Sequence, residues 1–261
     1  MRKLLLLFIA TLVMAKVHTA KVEPYEIYTY KAAAAAQVVD SQLQKEGKEV
    51  ADAPLIKLDD RVDRAKLDSL RSKLAALKKT IQITQQNIHN AQKIAQIKKS
   101  NYDRIKNLKS KSLSEKERKL SEYLSARSTY LNLLEKLQNL KIQKADLEYA
   151  LAATKDQIEK KNPRFSGYVY KIHAKKGDFA AIGSPLVDIA DVSRAKAVVY
   201  LGPEELEGIE RKKIYIDGKP SDARFEVIEK ITDPDYITQY RAKIVLPKPP
   251  LFGKFIQVEI K

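Results

Sequence analysis

From Leu67 onward the chain sets down a seam that advances by alternating threes and fours: Leu67, Leu70, Leu74, Leu77, Ile81, Thr84, Ile88, Ala91, Ala95, Tyr102 and Ile105. A heptad line sustained this long, broken only at Lys98, predicts a coiled-coil helix. A second line, Leu120, Leu124, Leu131, Leu134, Leu137, Leu140, Leu147, Leu151 and Ile158, predicts another. Its contraction between Leu134 and Leu140 resembles a stammer. Neither glycine nor proline falls between Pro54 and Pro163, so only the polar stretch Ser110 to Ser114 interrupts the helical pattern. Asp59 and Asp60 are placed to cap the first helix, and Ser112 with Glu115, or Ser114 with Glu117, to form a capping box on the second. Lys160, Lys161, Asn162 and Pro163 read as a stop. The two arms within 61–161 are nearly equal, which predicts an antiparallel hairpin about 75 Å long at 1.5 Å per residue. That is too long to pack inside a domain of this size, so it should project into solvent.

The segments on either side of the hairpin resemble each other. Residues 36–60 and 162–193 both read as short strands around a glycine turn: Val39 matches Val169, Gly47 matches Gly177, Pro54 matches Pro185, and Leu55 with Leu58 match Leu186 with Ile189. Neither half holds enough apolar residues for a core of its own. They should fold together and bring Asp60 beside Asn162 at the root of the hairpin. Beyond them, residues 194–261 alternate as strands over Ala197 to Leu201, Lys212 to Ile216, Phe225 to Ile231, Tyr240 to Leu246 and Lys254 to Ile260, with a short helix over Pro203 to Ile209. Residues 21–35 supply one more strand, Tyr25 to Tyr30. The fold class is α+β.

Gly177, Asp178, Gly183, Pro185 and Leu186 resemble a biotinyl/lipoyl half-motif. Two such halves split by a coiled-coil hairpin resemble the HlyD-like membrane fusion proteins, the periplasmic adaptors of tripartite efflux pumps and type I secretion systems. The resemblance spans nearly the whole chain after the first twenty residues. It is weaker in the first half, where Gln37 and Ala53 stand in place of the usual glycines. It implies a split lipoyl-like domain, a small β-barrel formed by residues 194–261 with help from the 21–35 strand, and a ring of six copies. It also implies two partners, an inner-membrane transporter and a TolC-like outer-membrane channel. No Asp-Lys-Ala occupies the carrier position, so no lipoyl or biotin cofactor is expected. The adaptor hairpin tip contacts the channel through an Arg, a Leu four residues on and a later Ser. Here that pattern implies Arg104 and Leu108, followed by Leu113 and Ser114. Arg104 offers forked hydrogen bonds to carbonyls or carboxylates, and Leu108 an apolar knob for an intersubunit groove. The bland readings are a solvated helix charge, a seam leucine and an N-cap.

The amino terminus predicts the compartment. Arg2 and Lys3 precede an apolar run from Leu4 to Ala15 that Lys16 ends, the layout of a signal peptide over residues 1–20. Twelve helical residues cover only about 18 Å, too short for the roughly 30 Å hydrocarbon core. Val13 with Ala15 makes the better cleavage site, and His18 with Ala20 a poorer one. An uncleaved inner-membrane anchor is the alternative. With export, the net charge of +16 points to an acidic protein or a membrane surface rather than nucleic acid.

Chemistry is sparse. The chain has no cysteine, so it has no thiolate metal site or thiol nucleophile. His18, counted with the leader, His89 and His173 lack metal-ligand spacing, and no phosphate loop or nucleophile elbow occurs. These features predict no enzyme, no metal and no cofactor. A basic coiled-coil chaperone that holds unfolded outer-membrane proteins remains the rival to the adaptor.

Overall fold

The computed structural model describes residues 16–261, so the apolar run Leu4 to Ala15 lies outside the described residues. In chain order the elements are β1 (Val17–Lys21), β2 (Glu23–Lys31), β3 (Ala36–Ser41), β4 (Glu49–Ala53), β5 (Ile56–Leu58), α1 (Arg61–Ile105), α2 (Leu113–Lys161), β6 (Phe165–Ile172) and β7 (Phe179–Ala180). They continue with β8 (Pro185–Leu201), α3 (Pro203–Leu206), β9 (Ile214–Ile216), β10 (Lys219–Pro220), β11 (Arg224–Thr232), β12 (Tyr240–Pro247) and β13 (Phe255–Ile260). The chain divides into a β unit and a hairpin unit.

In the β unit, the two repeated segments exchange their glycine turns. The amide of Gly177 donates to the Val38 carbonyl at 2.9 Å, and the Val38 amide donates to the Asp178 carbonyl at 2.8 Å. The other half returns the same pair: Gly47 donates to the Val169 carbonyl at 2.8 Å, and Val169 donates to the Lys48 carbonyl at 2.9 Å. Both glycines sit at positive φ, 75° and 98°, where a side chain would be strained. The structural equivalent of Val169 is therefore Val38 rather than Val39. Val38 and Val169 are both buried, whereas Val39 is only half-buried.

The remaining strands do not close a barrel. They form an open four-stranded sheet in the order β1-β13-β9-β10 and a six-stranded sheet in the order β11-β12-β8-β6-β4, with β2 against β8. The two sheets share one core, in which Ala20, Val22, Ile214, Ile256 and Val258 meet Ala197, Val199, Leu201, Ala242 and Ile244. The expected barrel is thus a sandwich of open sheets. The reason lies in β8, which runs unbroken through Ser193 and joins the repeat to the sandwich. Its first part pairs with β2 and β6 and its last part with β12. The Tyr25 to Tyr30 strand accordingly lines the repeat side of β8 and not a barrel.

Residues 17–20, counted with the leader on the sequence, form most of β1, which pairs antiparallel with β13, and Ala20 is buried in the shared core. The expected helix from Pro203 to Ile209 is shorter, one turn of α3 followed by a separate 3₁₀ turn over Ile209–Arg211. Gly208, at φ 66°, divides them.

Candidate functional site: the hairpin

Helices α1 and α2, of 45 and 49 residues, reach about 68 and 74 Å at 1.5 Å per residue. The first seam stands as predicted: Leu67, Leu70, Thr84, Ala91 and Ala95 are buried. Lys98, the break in that seam, reaches across the hairpin to Glu122 at 2.8 Å. Glu122 also takes Lys119 and Arg118. Lys98 first, then Lys119, holds the Glu122 carboxyl down at a pKa of about 2.

The second seam differs from its prediction. A continuous line of covered positions on α2 runs through Tyr123, Ala126, Tyr130, Leu133, Leu137, Leu140, Lys144, Leu147, Leu151, Thr154 and Ile158, with Leu120 and Leu134 of the predicted line covered beside it. The line keeps the three-four step throughout, so there is no stammer. Leu124 and Leu131 lie one position past that seam and are exposed. The contraction arose from merging two stripes, because an apolar character was counted where tyrosine and alanine do the packing.

At the root, Asp60 is only 3% exposed. Its Oδ2 accepts from Arg64 Nε at 2.8 Å and from Asn162 Nδ2 at 2.7 Å. Arg64 first, then Asn162, lowers its carboxyl below the ordinary range. Lys161 pairs with Asp63 at 2.7 Å. Asp60 and Asn162 are thus side by side as the repeat required. Asp60 holds the N-cap position without a capping bond from its side chain, because Arg64 and Asn162 claim it. Asp59 instead accepts the Arg61 amide at 3.1 Å.

At the tip, α1 ends at Ile105 and α2 starts at Leu113, a turn that begins earlier than Ser110. Leu108 donates its amide to the Ile105 carbonyl at 3.0 Å. Of the two possible caps the chain uses Ser112, whose Oγ accepts the Glu115 amide at 3.2 Å. Ser114 lies inside the first turn with its side chain exposed, relieved of the capping role. Leu108 and Leu113 are 45% and 72% exposed, far above seam leucines. Arg104, in the last turn of α1, hydrogen bonds Asn101. The ion pairs here are local: Lys106 with Asp103 at 2.8 Å and Lys111 with Glu115 at 3.0 Å. Arg104, Leu108, Leu113 and Ser114 therefore all lie at the hairpin end, where two uncovered leucines stand among lysines.

Two of the three histidines are taken up by carboxylates. His18 Nε2 lies 2.6 Å from Glu205 Oε1, and His173, just past β6, lies 2.8 Å from Asp188 Oδ2. Among the described residues no cluster of histidine and carboxylate side chains has the makeup of a metal site. No described helix is long and apolar enough to cross a membrane.

No protein-family model matches the sequence, and no curated protein matches it significantly. Solved structures do match. MacA from Actinobacillus actinomycetemcomitans aligns at 15% identity over 94% of this chain and 78% of its own, with a TM-score of 0.68. The membrane fusion protein Spr0693 from Streptococcus pneumoniae R6 aligns at 13% identity over 95% of this chain and 99% of its own, with a TM-score of 0.66. A MacA-MexA chimera carrying the Pseudomonas aeruginosa MexA α-hairpin aligns at 13% identity over 94% of this chain and 78% of its own, with a TM-score of 0.52. The chain shares the fold of the membrane fusion proteins, the class that its split repeat resembles.

Proposed function

We propose that this chain is an exported, non-enzymatic periplasmic adaptor that joins an inner-membrane transporter to a TolC-like outer-membrane channel, working as a ring of six copies. The observation that carries the reading is the hairpin end. A solvated tip has no structural use for two exposed leucines, and a groove in a partner would cover both. Arg104 supplies forked donors to carbonyls or carboxylates at that contact. Ser114, free of capping, supplies a short hydroxyl for close backbone approach. Export by cleavage after Ala15 fits better than cleavage after Ala20, since the later cut removes β1 and the buried Ala20 from the sandwich. Mass spectrometry of the exported chain should find Lys16 first.

The exposed apolar residues along both arms favour one alternative, a basic chaperone that holds unfolded outer-membrane proteins. Cysteines placed at Leu108 and Ser114 and at mid-hairpin controls in this cysteine-free chain separate the two. Cross-linking in the native envelope should capture one outer-membrane channel from the tip alone. Capture of many unfolded proteins along both arms would reject the adaptor.

A further inference from the structure

The positive charge of this chain is not spread evenly along it. Residues 61–161 carry 24 Lys and Arg against 11 Asp and Glu, while the rest of the chain carries 25 against 22. Within the hairpin the excess lies on α1, with eleven basic residues against three Asp; α2 has ten against eight Asp and Glu. Between Asp68 and Asp103 no carboxylate occurs, and that run holds seven Lys and Arg with eight Asn and Gln. A solvated helix face ordinarily mixes glutamate with lysine, because unlike charges at i, i+4 support the helix. For about nine turns α1 gives up that support and sets amides where glutamates would stand.

The amides and lysines share a face. Lys79, Gln82, Gln86, His89, Asn90 and Lys93 recur at steps of three and four, on the side of α1 opposite the buried Thr84, Ala91 and Ala95. All six are exposed, and among the described residues none of them enters a side-chain hydrogen bond or an ion pair. Gln82, Gln85, Gln86, His89 and Asn90 border an open concavity of about 830 Å³. The acidic arm does not neutralise this face. Among the described residues the ion pairs across the hairpin are Asp63 with Lys161 and Lys98 with Glu122, which fall beyond its two ends.

The makeup of the face selects its ligand. Amide groups donate and accept hydrogen bonds together, as hydroxyl and amide groups on a partner require. The lysines at either end, about 21 Å apart at 1.5 Å per residue, call for negative charge at intervals and not at one point. Ile83, Ile94 and Ile97, each between 52% and 60% exposed, run beside the amides and offer apolar ground to the C–H faces of sugar rings. A folded protein would bring an apolar interface core, and the centre of this face is amide. An extended polymer needs no such core, because it engages many weak polar and ionic contacts at once.

We infer that this face of α1 binds an anionic glycan. The sugar hydroxyls and amides of the polymer meet Gln82, Gln86, His89 and Asn90, and its carboxylates or phosphates meet Lys78, Lys79 and Lys93. The inference rests on the export part of the proposed function, which sets the hairpin among the polymers of the envelope. It is independent of what the hairpin tip contacts.

The test mixes the purified full-length exported chain with isolated peptidoglycan sacculi, a carboxylate glycan, and with deacylated lipopolysaccharide, a phosphate glycan. Saturable binding to either one is expected, and the one bound identifies the acidic group. Gln82→Ala, Gln86→Ala and Asn90→Ala together leave the charge unchanged and should weaken binding about tenfold, as should Lys78→Glu, Lys79→Glu and Lys93→Glu together. Lys136→Glu, Lys141→Glu and Lys155→Glu on α2 make the same change in charge and should keep affinity within about twofold. Circular dichroism checks that each variant keeps its helices, since every substituted side chain is exposed. Equal losses from the two lysine sets, or equal affinity for duplex DNA, would reduce the face to a plain polycation and overturn the inference. Binding to neither glycan would overturn it too. The adaptor reading fails separately: glycan binding without a channel captured at Leu108 rejects the adaptor and leaves this face assigned. Channel capture without glycan binding rejects only the face.

Discussion

The two ends of the hairpin are built on opposite plans. At the root, a nearly inaccessible carboxylate gathers donors from both helices, and Arg64, Asn162 and Asp60 lock the arms together. At the tip, every charged contact stays within one helix or one turn, and the largest apolar side chains face water. The root spends its polar groups on holding the chain to itself. The tip withholds its groups from the chain, which is what a contact surface requires.

Substitutions should separate the ends. Asp60→Ala removes the acceptor shared by Arg64 and Asn162 and leaves the Asn162 amide short of a partner, at a cost of about 2 kcal/mol. Urea unfolding of the hairpin measures it, and an unchanged midpoint would erase the distinction. Ser112→Ala should cost about 1 kcal/mol by losing the cap of α2, while Ser114→Ala should cost almost nothing. Equal effects would show that Ser114 shares the capping role and would remove it from the free surface.

Acid should loosen the hairpin in a defined window. The folded pKa values of Glu122 and Asp60 lie below their ordinary values. Their ion pairs therefore stabilise the fold fully above those ordinary values, and the contribution is lost as pH falls through the folded ones. For Glu122 the window runs from 4.5 down to about 2. Glu122→Gln should flatten the fall in melting temperature across that range; an unaltered slope would mean that solvent already screens the cluster. The smallest effect belongs to the tip, where Leu108→Ala and Leu113→Ala should each shift stability by less than about 0.5 kcal/mol. Channel capture should nevertheless fall sharply in the double variant. A large loss of stability there would make the tip a second root.

The sequence made the hairpin and the split repeat legible because both rest on strong periodic signals. The seam of α1 and the paired glycine turns could be read residue by residue. What escaped notice depended on side chains whose role is set by their neighbours. Tyr123, Ala126 and Tyr130 pack in the second seam, although Leu124 and Leu131 carry the stronger apolar signal. The closed barrel was overread: alternating strands specify two faces, but the length of β8, which decides the topology, shows only in the pairing. For the candidate site, Arg104, Leu108, Leu113 and Ser114 come from the resemblance alone, and the choice of Ser112 over Ser114 as cap shows only in the structure.

The exchanged glycine turns also set a timetable. Val38 and Gly47 enter the chain early, but the residues they bond, Gly177 and Val169, follow only after both long helices. During synthesis at roughly 5–20 residues per second the first half waits several seconds for its mate. Contacts so distant in sequence are slow to form from an open chain. Here the helices shorten the search, since closing them sets Asp60 against Asn162 and delivers the second half to the first. The hairpin is thus also the splint on which the β unit is assembled, and a chain with a weakened root should fold late before it functions poorly.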